Sequence, residues 1–92
     1  MEAFDYNQIF RERTKKLALT IISILSEVKY SDAFGILRKQ SIRSVTSVAA
    51  NYRATCRARS LKEKYSKLFI VVEECDETQF WLELLFECKF IN

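Results

Sequence analysis

The sequence predicts an all-α protein, built as an antiparallel up-down-up bundle of three long helices. Its 92 residues include no Pro and one Gly, so the chain has few enforced breaks and few residues suited to tight hairpin turns. Apolar residues make up 49% of the chain. They recur at alternating spacings of three and four positions, which places them along one side of a helix. We expect a single domain over residues 1–92.

The first helix is predicted over about residues 7–29. Asp5 stands three positions before Gln8, the spacing of a capping box, in which side chains bond to the free N–H groups of the first turn. The apolar stripe of this helix consists of Phe10, Leu17, Ile21, Ile24 and Val28, widened by Ala18, Ile22 and Leu25. A stripe of this width is typical of a helix in a bundle.

The second helix is predicted over about residues 32–57, and Ser31 or Asp32 is expected to cap its first turn. Gly35 costs about 1 kcal/mol relative to Ala inside a helix. We expect it to be tolerated because residues of the first turn lack partners within the helix in any case.

The second helix also has three distinct faces at about 100° per residue. The apolar stripe consists of Ile42, Val45, Ala49, Tyr52 and Cys56. The basic stripe consists of Lys39, Arg43, Arg53 and Arg57. The small-residue face consists of Gln40, Ser44, Ser47, Asn51, Ala54 and Ala58. We expect the small-residue face to pack closely against a helix of the same chain or of another subunit.

The third helix is predicted over about residues 61–89, behind the complete capping box formed by Ser60 and Glu63. Its apolar stripe consists of Tyr65, Leu68, Val72, Cys75, Leu82 and Phe86. Further apolar residues outside that stripe are Phe69, Phe80, Trp81, Leu84 and Leu85. We therefore expect more than one neighbour to bury this helix, and its excess apolar surface requires a further helix. Tyr52 and Trp81 stand at core spacing and are expected to pack instead of stacking on bases.

The charges of the chain are separated along the sequence. Eight basic residues and one acidic residue lie between Arg38 and Lys64, whereas six acidic residues and one basic residue lie between Glu73 and Asn92. The candidates for contact with phosphates are Lys39, Arg43, Arg53, Arg57, Arg59, Lys62 and Lys64. The alternative is that these side chains form ion pairs with the acidic third helix of the same or a neighbouring subunit.

The composition argues against an enzyme, a cofactor and a metal site. The chain has no His, its single Gly excludes a glycine-rich phosphate loop, and no Cys pair has the spacing of a zinc site. The three cysteines, Cys56, Cys75 and Cys88, are expected to be small core or near-surface residues, with Cys75 in the core. The apolar runs are too short to cross a bilayer and the start lacks a signal peptide, so we expect a cytoplasmic protein with no membrane contact.

Three runs of the sequence resemble one bacterial family: RTKKLAL at 13–19, KQSIRSVTSVAANYRATCRARS at 39–60 and EECDETQFWLELL at 73–85. On these runs, the chain is identified as a member of the four helix bundle protein family, over about residues 8–92. Members were first noticed as reading frames in intervening sequences of large-subunit ribosomal RNA genes. The same fold group includes the accessory variability protein of diversity-generating retroelements.

The resemblance implies an antiparallel four-helix bundle that assembles as a ring-like homopentamer. For the retroelement members, it also implies binding to nucleic acid and to a reverse transcriptase through a basic surface. Many relatives carry an N-I-A-E-G-like stretch where this chain has residues 51–55, which exchanges an acid and a glycine for a base and helix formers. The fourth helix of the family would begin just after Ile91. We therefore expect three long helices of a four-helix-bundle fold, either as a shortened member or with packing supplied by another subunit.

These observations together predict a non-catalytic, homo-oligomeric accessory protein that binds the backbone of RNA or DNA through the basic stripe. The alternative is a structural or protein-interaction homo-oligomer with no nucleic-acid role. In that case, the basic side chains form ion pairs with acidic side chains of neighbouring subunits.

Overall fold

The computed structural model describes residues 5–92, and three α-helices account for most of them. The helices are α1 (Tyr6–Ser26), α2 (Asp32–Thr55) and α3 (Leu61–Glu87). No strand forms within the described residues. Short connections join antiparallel neighbours, so the predicted all-α, up-down-up fold is confirmed.

Each helix begins at a predicted cap. The side chains of Asp5, Ser31 and Ser60 accept hydrogen bonds from the backbone N–H three residues further on, at 3.1, 3.2 and 3.1 Å. The box in front of α3 departs from the usual reciprocal pattern, because the Glu63 carboxylate accepts from the backbone N–H of Arg59 at 3.4 Å. The caps were predictable because they depend on residues three positions apart.

All three helices end two or three residues before the predicted ends. The first two helices finish in a tighter turn, in which the N–H groups of residues 27–28 and 57–58 bond to carbonyls three residues earlier. The third helix stops because Lys89 adopts a left-handed conformation with a φ of 66°. The N–H of Phe90 then donates to the carbonyl of Leu85 at 2.9 Å, as in a Schellman motif. This turn places the Phe90 ring against Phe34, with ring centroids 5.5 Å apart.

Gly35 lies inside the first turns of α2, where the ring of Tyr30 packs over it. A Cβ atom at this position would lie 2.8 Å from Cε2 of Tyr30. The glycine therefore allows the connection between α1 and α2 to approach the helix closely. The guanidinium of Arg38 covers the same ring, 5.7 Å from its centroid.

Helix α2 is the centre of the fold, since it packs against both α1 and α3. No Cα atom of α1 lies within 8 Å of a Cα atom of α3. The core cluster draws on all three helices and consists of Ala18, Ile21, Leu25, Phe34, Val45 and Leu85. Within the described residues, α2 is therefore the one helix whose backbone lies close to α3, while side chains of α1 meet Leu85 in the core cluster.

The predicted apolar stripe of α3 is wrong in register. Tyr65, Val72 and Phe86 are 58%, 64% and 60% exposed. The buried positions of this helix are instead Val71, Thr78 and Leu85. The apolar pattern missed this seam because its middle position is polar, and because Thr78 meets its hydrogen-bonding needs inside the interface. Cys75 is exposed, so its expected place in the core is also wrong.

An apolar groove remains open between α1 and α3. We refer to it below as the apolar groove. It is lined by Leu17, Thr20, Ile21, Ile24 and Leu25 on one side and by Gln79, Leu82, Glu83, Phe86 and Ile91 on the other. No residue of α2 lines it, so it lies on the side of the molecule away from α2. We expected excess apolar surface on the third helix, and Leu82 and Phe86 present part of it in this groove. No helix within residues 5–92 is long and apolar enough to cross a membrane.

Candidate nucleic-acid interface

Two clefts meet on the outer side of α2, opposite its buried face. The first cleft lies between α1 and α2 and has a volume of about 550 Å³. The second lies beside the α2–α3 connection and has a volume of about 440 Å³. Both clefts are lined by Ala50 and Arg53, so they form one continuous surface across α2.

Basic side chains dominate this surface. We name the following set the basic surface: Arg11, Lys15, Arg53, Arg57, Arg59 and Lys67. The acidic residues lining the same clefts are Glu12 and Glu63. Glu63 already accepts the hydrogen bond from the Arg59 backbone, which leaves less of its charge to oppose an anion. The surface therefore presents a strong excess of positive charge to solvent.

The packing of α1 on α2 brings the two halves of the first cleft together. The rings of Phe10 and Tyr52 meet with centroids 6.0 Å apart and tilted by 58°. Because the two helices are antiparallel, this contact sets Arg11 of α1 beside Arg53 of α2. The contact half-buries Tyr52 and its burial raises the pKa of the phenol, as expected for a packing residue.

The connection after α2 completes the second cleft. Arg53 lies in the last turn of α2 and Arg57 in the tighter turn that follows it, and both side chains line this cleft. The Ser60 cap and the Glu63 carboxylate fix the backbone around Arg59 at the start of α3. Lys67 enters from the second turn of α3. Four cations from three segments thus meet in one cleft.

The structure separates the seven predicted candidates for phosphate contact into two groups. Arg53, Arg57 and Arg59 lie in the basic surface. The other predicted residues that line neither cleft are Lys39, Arg43, Lys62 and Lys64. Lys39 is fourteen residues from Arg53 on the same helix, a separation of about 20 Å along the axis.

Arg43 forms ion pairs inside the chain. Its guanidinium bonds to the Glu74 carboxylate at 3.2 Å and to the Glu77 carboxylate. The hydrogen bond to Glu77 is the main cause that raises the pKa of Arg43. The pKa of Glu77 is lowered first by a hydrogen bond from the Trp81 indole N–H at 3.2 Å and then by Arg43. Arg43 therefore joins α2 to α3, and its charge is balanced locally.

The small-residue face packs against α3 of the same chain. Ser44 is fully buried, and its Oγ lies 2.9 Å from Oγ1 of Thr78. Asn51 donates from Nδ2 to the carbonyl of Ser47 at 2.9 Å, so both polar groups are satisfied locally. Of the remaining members, Ala54 lines the second cleft, and Gln40, Ala54 and Ala58 are all half-buried. Small side chains here let α2 and α3 approach closely.

Three members of the basic surface were missed from the sequence: Arg11, Lys15 and Lys67. The first two are four residues apart and so share one face of α1, which was visible in the sequence. Their position beside Arg53 depends on how α1 and α2 are aligned, and no short-range pattern gives that alignment.

The described part of the chain offers no cluster of metal ligands on this surface. Within residues 5–92, no group of three or more His, Cys, Asp or Glu side chains is placed to hold a metal ion. The floor between the charged rims consists of small and aliphatic residues: Ala18, Leu19, Ile22, Ala49 and Ala50. The polar groups of the first cleft are therefore those of the side chains around this floor, which are Arg11, Glu12, Lys15, Thr46 and Arg53.

A comparison with protein families gives a match that covers most of the chain. A family model described as 23S rRNA-intervening sequence protein matches residues 7–92. The matched range takes in all but the first residue of α1 and the whole of α2 and α3. Comparisons with curated proteins and with solved structures give no significant match.

Proposed function

Since this chain belongs to the 23S rRNA-intervening sequence protein family, we propose that it is a non-catalytic, oligomeric accessory protein that binds the phosphate backbone of RNA or DNA. The observation that carries this proposal is that six basic side chains, one of which is Arg53, line two continuous clefts. The family description associates its members with ribosomal RNA, which favours a nucleic-acid ligand over other polyanions.

The binding we propose is electrostatic. Four of the six basic residues are Arg, whose planar guanidinium donates paired hydrogen bonds to phosphate oxygens. Phosphates that contact these side chains release their condensed counterions, and that release drives association. Repetition of the surface in an oligomer would raise the affinity further, because linked sites bind one polyanion together.

The surface is suited to backbone contact and not to base readout. Among residues 5–92, no aromatic side chain lines either cleft, so this part of the chain supplies no stacking platform there for unpaired bases. The two aromatic residues nearest in the fold, Phe10 and Tyr52, pack on each other. We therefore expect similar affinity for RNA and DNA of similar charge density and little dependence on sequence.

A salt titration tests the proposal. Binding of a labelled structured RNA and of a duplex DNA is measured between 50 and about 300 mM salt. If about four to six phosphates are neutralised, log K falls linearly with log salt with a slope between about −3 and −5. Absence of binding at low salt, in a sample that is oligomeric by light scattering, would exclude nucleic-acid binding as the function.

A structural or protein-interaction homo-oligomer is a second candidate, and Arg43 supports it. This residue shows that the acidic side of α3 takes up basic charge from α2. The same kind of pairing between subunits would use Arg53 and Arg57 for assembly. The variant Arg53→Glu with Arg57→Glu separates the two functions. It abolishes nucleic-acid binding and leaves assembly intact under the first, whereas it breaks the oligomer under the second.

A further inference from the structure

We propose that the basic surface takes double-helical nucleic acid, with the outer edge of α2 lying in a groove of the duplex and one strand backbone lying in each of the two clefts. This inference rests on the proposed function and deepens it, because it names the form of nucleic acid that the surface fits. We refer to the outer edge of α2, formed by Thr46, Ala50 and Arg53, as the α2 ridge. These residues are exposed and stand four and three positions apart, so they share one side of the helix.

The α2 ridge is a convex edge of the molecule. Tyr52 faces α1, where its ring packs on Phe10. Ser44 faces α3, where its Oγ lies 2.9 Å from Oγ1 of Thr78. At about 100° per residue, the ridge points away from both of these contacts. Because no Cα atom of α1 lies within 8 Å of a Cα atom of α3, α2 stands between the two helices and its ridge projects outward.

The basic side chains are divided between the two flanks of this ridge. On one flank, Arg11 and Lys15 of α1 line the first cleft, to which α3 contributes no residue. On the other flank, Arg59 and Lys67 line the second cleft, to which α1 contributes no residue. Arg53 of the ridge lines both clefts. The surface therefore presents two separate groups of positive charge with a convex edge between them.

This arrangement fits two strands better than one. Axes of packed helices lie about 8 to 10 Å apart, so α1 and α3 are about 15 to 20 Å from each other across α2. The major groove of B-DNA is about 12 Å wide, admits an α-helix and has one strand backbone on each side. In A-form RNA, the wide and shallow minor groove offers a similar concave surface. Long Arg and Lys side chains span the remaining distance to the phosphates on each side.

The side chains of the α2 ridge are suited to this position. Thr46 and Ala50 are small, so the ridge can approach the floor of a groove closely without reading base edges. Arg53 is long enough to reach a phosphate at either side of the groove. The ridge therefore determines how deeply the duplex is seated, while the two flanks supply the contacts to its strands.

An unpaired strand gains less from the same surface. Among residues 5–92, neither cleft is lined by an aromatic side chain on which an unpaired base could stack. A single strand that follows one cleft contacts the basic side chains of that flank alone. To reach the other flank, it must bend across the ridge and lose conformational freedom. We therefore expect a clear preference for duplexes over single strands.

A comparison of three labelled probes on the full chain tests the inference. The probes are a short DNA duplex, the RNA duplex of the same sequence and oligo(dT) with the same number of phosphates. Their affinities are measured by fluorescence anisotropy at about 0.1 M salt, where contacts to phosphates contribute strongly. Both duplexes should bind at least about tenfold more tightly than oligo(dT), because the second flank adds two or three phosphate contacts.

Variants of each flank separate groove geometry from the higher charge density of a duplex. Arg11→Gln with Lys15→Gln removes the α1 flank, and Arg59→Gln with Lys67→Gln removes the other. Each double variant should bring the affinity for the duplexes down to within about threefold of that for oligo(dT), because one flank then remains for either ligand. The affinity for oligo(dT) itself should stay near the wild-type value, since the intact flank still binds it. Circular dichroism should show wild-type helicity for both variants.

The matched control is Lys39→Gln with Lys62→Gln, which removes the same charge from residues that line neither cleft. This control should keep the preference for duplexes. Equal affinity of the wild type for oligo(dT) and the duplexes, or a preference that survives both flank variants, would overturn the inference. Either result would leave backbone binding, and so the proposed function, in place. Absence of binding by all three probes would overturn both.

Discussion

Neutralising Arg53 and Arg57 should remove the centre of the basic surface without disturbing the fold. Both side chains are exposed, and neither forms a salt bridge within the described residues. Arg53 lines both clefts and Arg57 lines the second, so the variant Arg53→Gln with Arg57→Gln affects the whole surface. Gln keeps good helix propensity, which leaves α2 intact.

The size of the effect follows from counterion release. Each phosphate contact contributes about 0.7 to 0.9 to the slope of log K against log salt. Between 1 M and 0.1 M salt, each contact therefore raises log K by about 0.7 to 0.9. We take the affinity at 1 M salt as unchanged by the substitution. Loss of two contacts should lower the slope by about 1.4 to 1.8 and weaken binding at 0.1 M by about 25- to 60-fold.

The assay is fluorescence anisotropy with a labelled structured RNA, repeated at five or more salt concentrations. The matched control is Lys39→Gln with Lys62→Gln, which removes the same two positive charges from the net charge of +3. Both lysines belong to the predicted set of phosphate contacts, but neither lines a cleft. We expect the control to keep the wild-type slope.

Equal losses in the two variants would refute the reasoning. Such a result would mean that binding responds to net charge and not to the geometry of the clefts. A larger loss in the control would place the contacts along the predicted stripe, away from the meeting point of the two clefts.

Further predictions concern stability. Leu85→Ala removes a fully buried core side chain and should lower the free energy of unfolding, measured by urea, by about 2 to 5 kcal/mol. Lys89→Gly should raise it by about 0.5 to 1 kcal/mol, because glycine adopts the φ of 66° without steric cost; a loss would contradict the assigned Schellman turn. The lowered pKa of Glu77 predicts that its contacts stabilise the fold above pH 4.5 and lose that effect as the carboxylate is protonated on acidification. Glu77→Gln should therefore lower the Tm more at pH 7 than at pH 2, and an equal effect at both pH values would contradict this assignment.

The elements that depend on neighbouring residues were predictable. All three helices and their caps follow from spacings of three and four residues and from the polar residues in front of each helix. The membership of the family was also predictable from the runs around residues 39–60, and residues 7–92 match it.

The features that depend on alignment between helices were not predictable. The buried seam of α3 passes through Thr78, which apolar periodicity cannot select. The ion pairs of Arg43 join residues 31 and 34 positions apart, so the stripe alone could not show that this charge is balanced. The placement of Arg11 beside Arg53 likewise depends on a contact between Phe10 and Tyr52. Each of these features results from tertiary packing.

The most direct test of the central claim is a map of backbone amide chemical shifts during titration with a structured RNA. The binding account predicts the largest changes at the basic surface, around Arg11 and Lys15 on α1, Arg53 at the end of α2, and residues 57–67. Little change should occur around Lys39 or in the apolar groove. Changes centred on Lys39 or on the groove, or no change at low salt, would contradict the claim that this surface binds the nucleic-acid backbone.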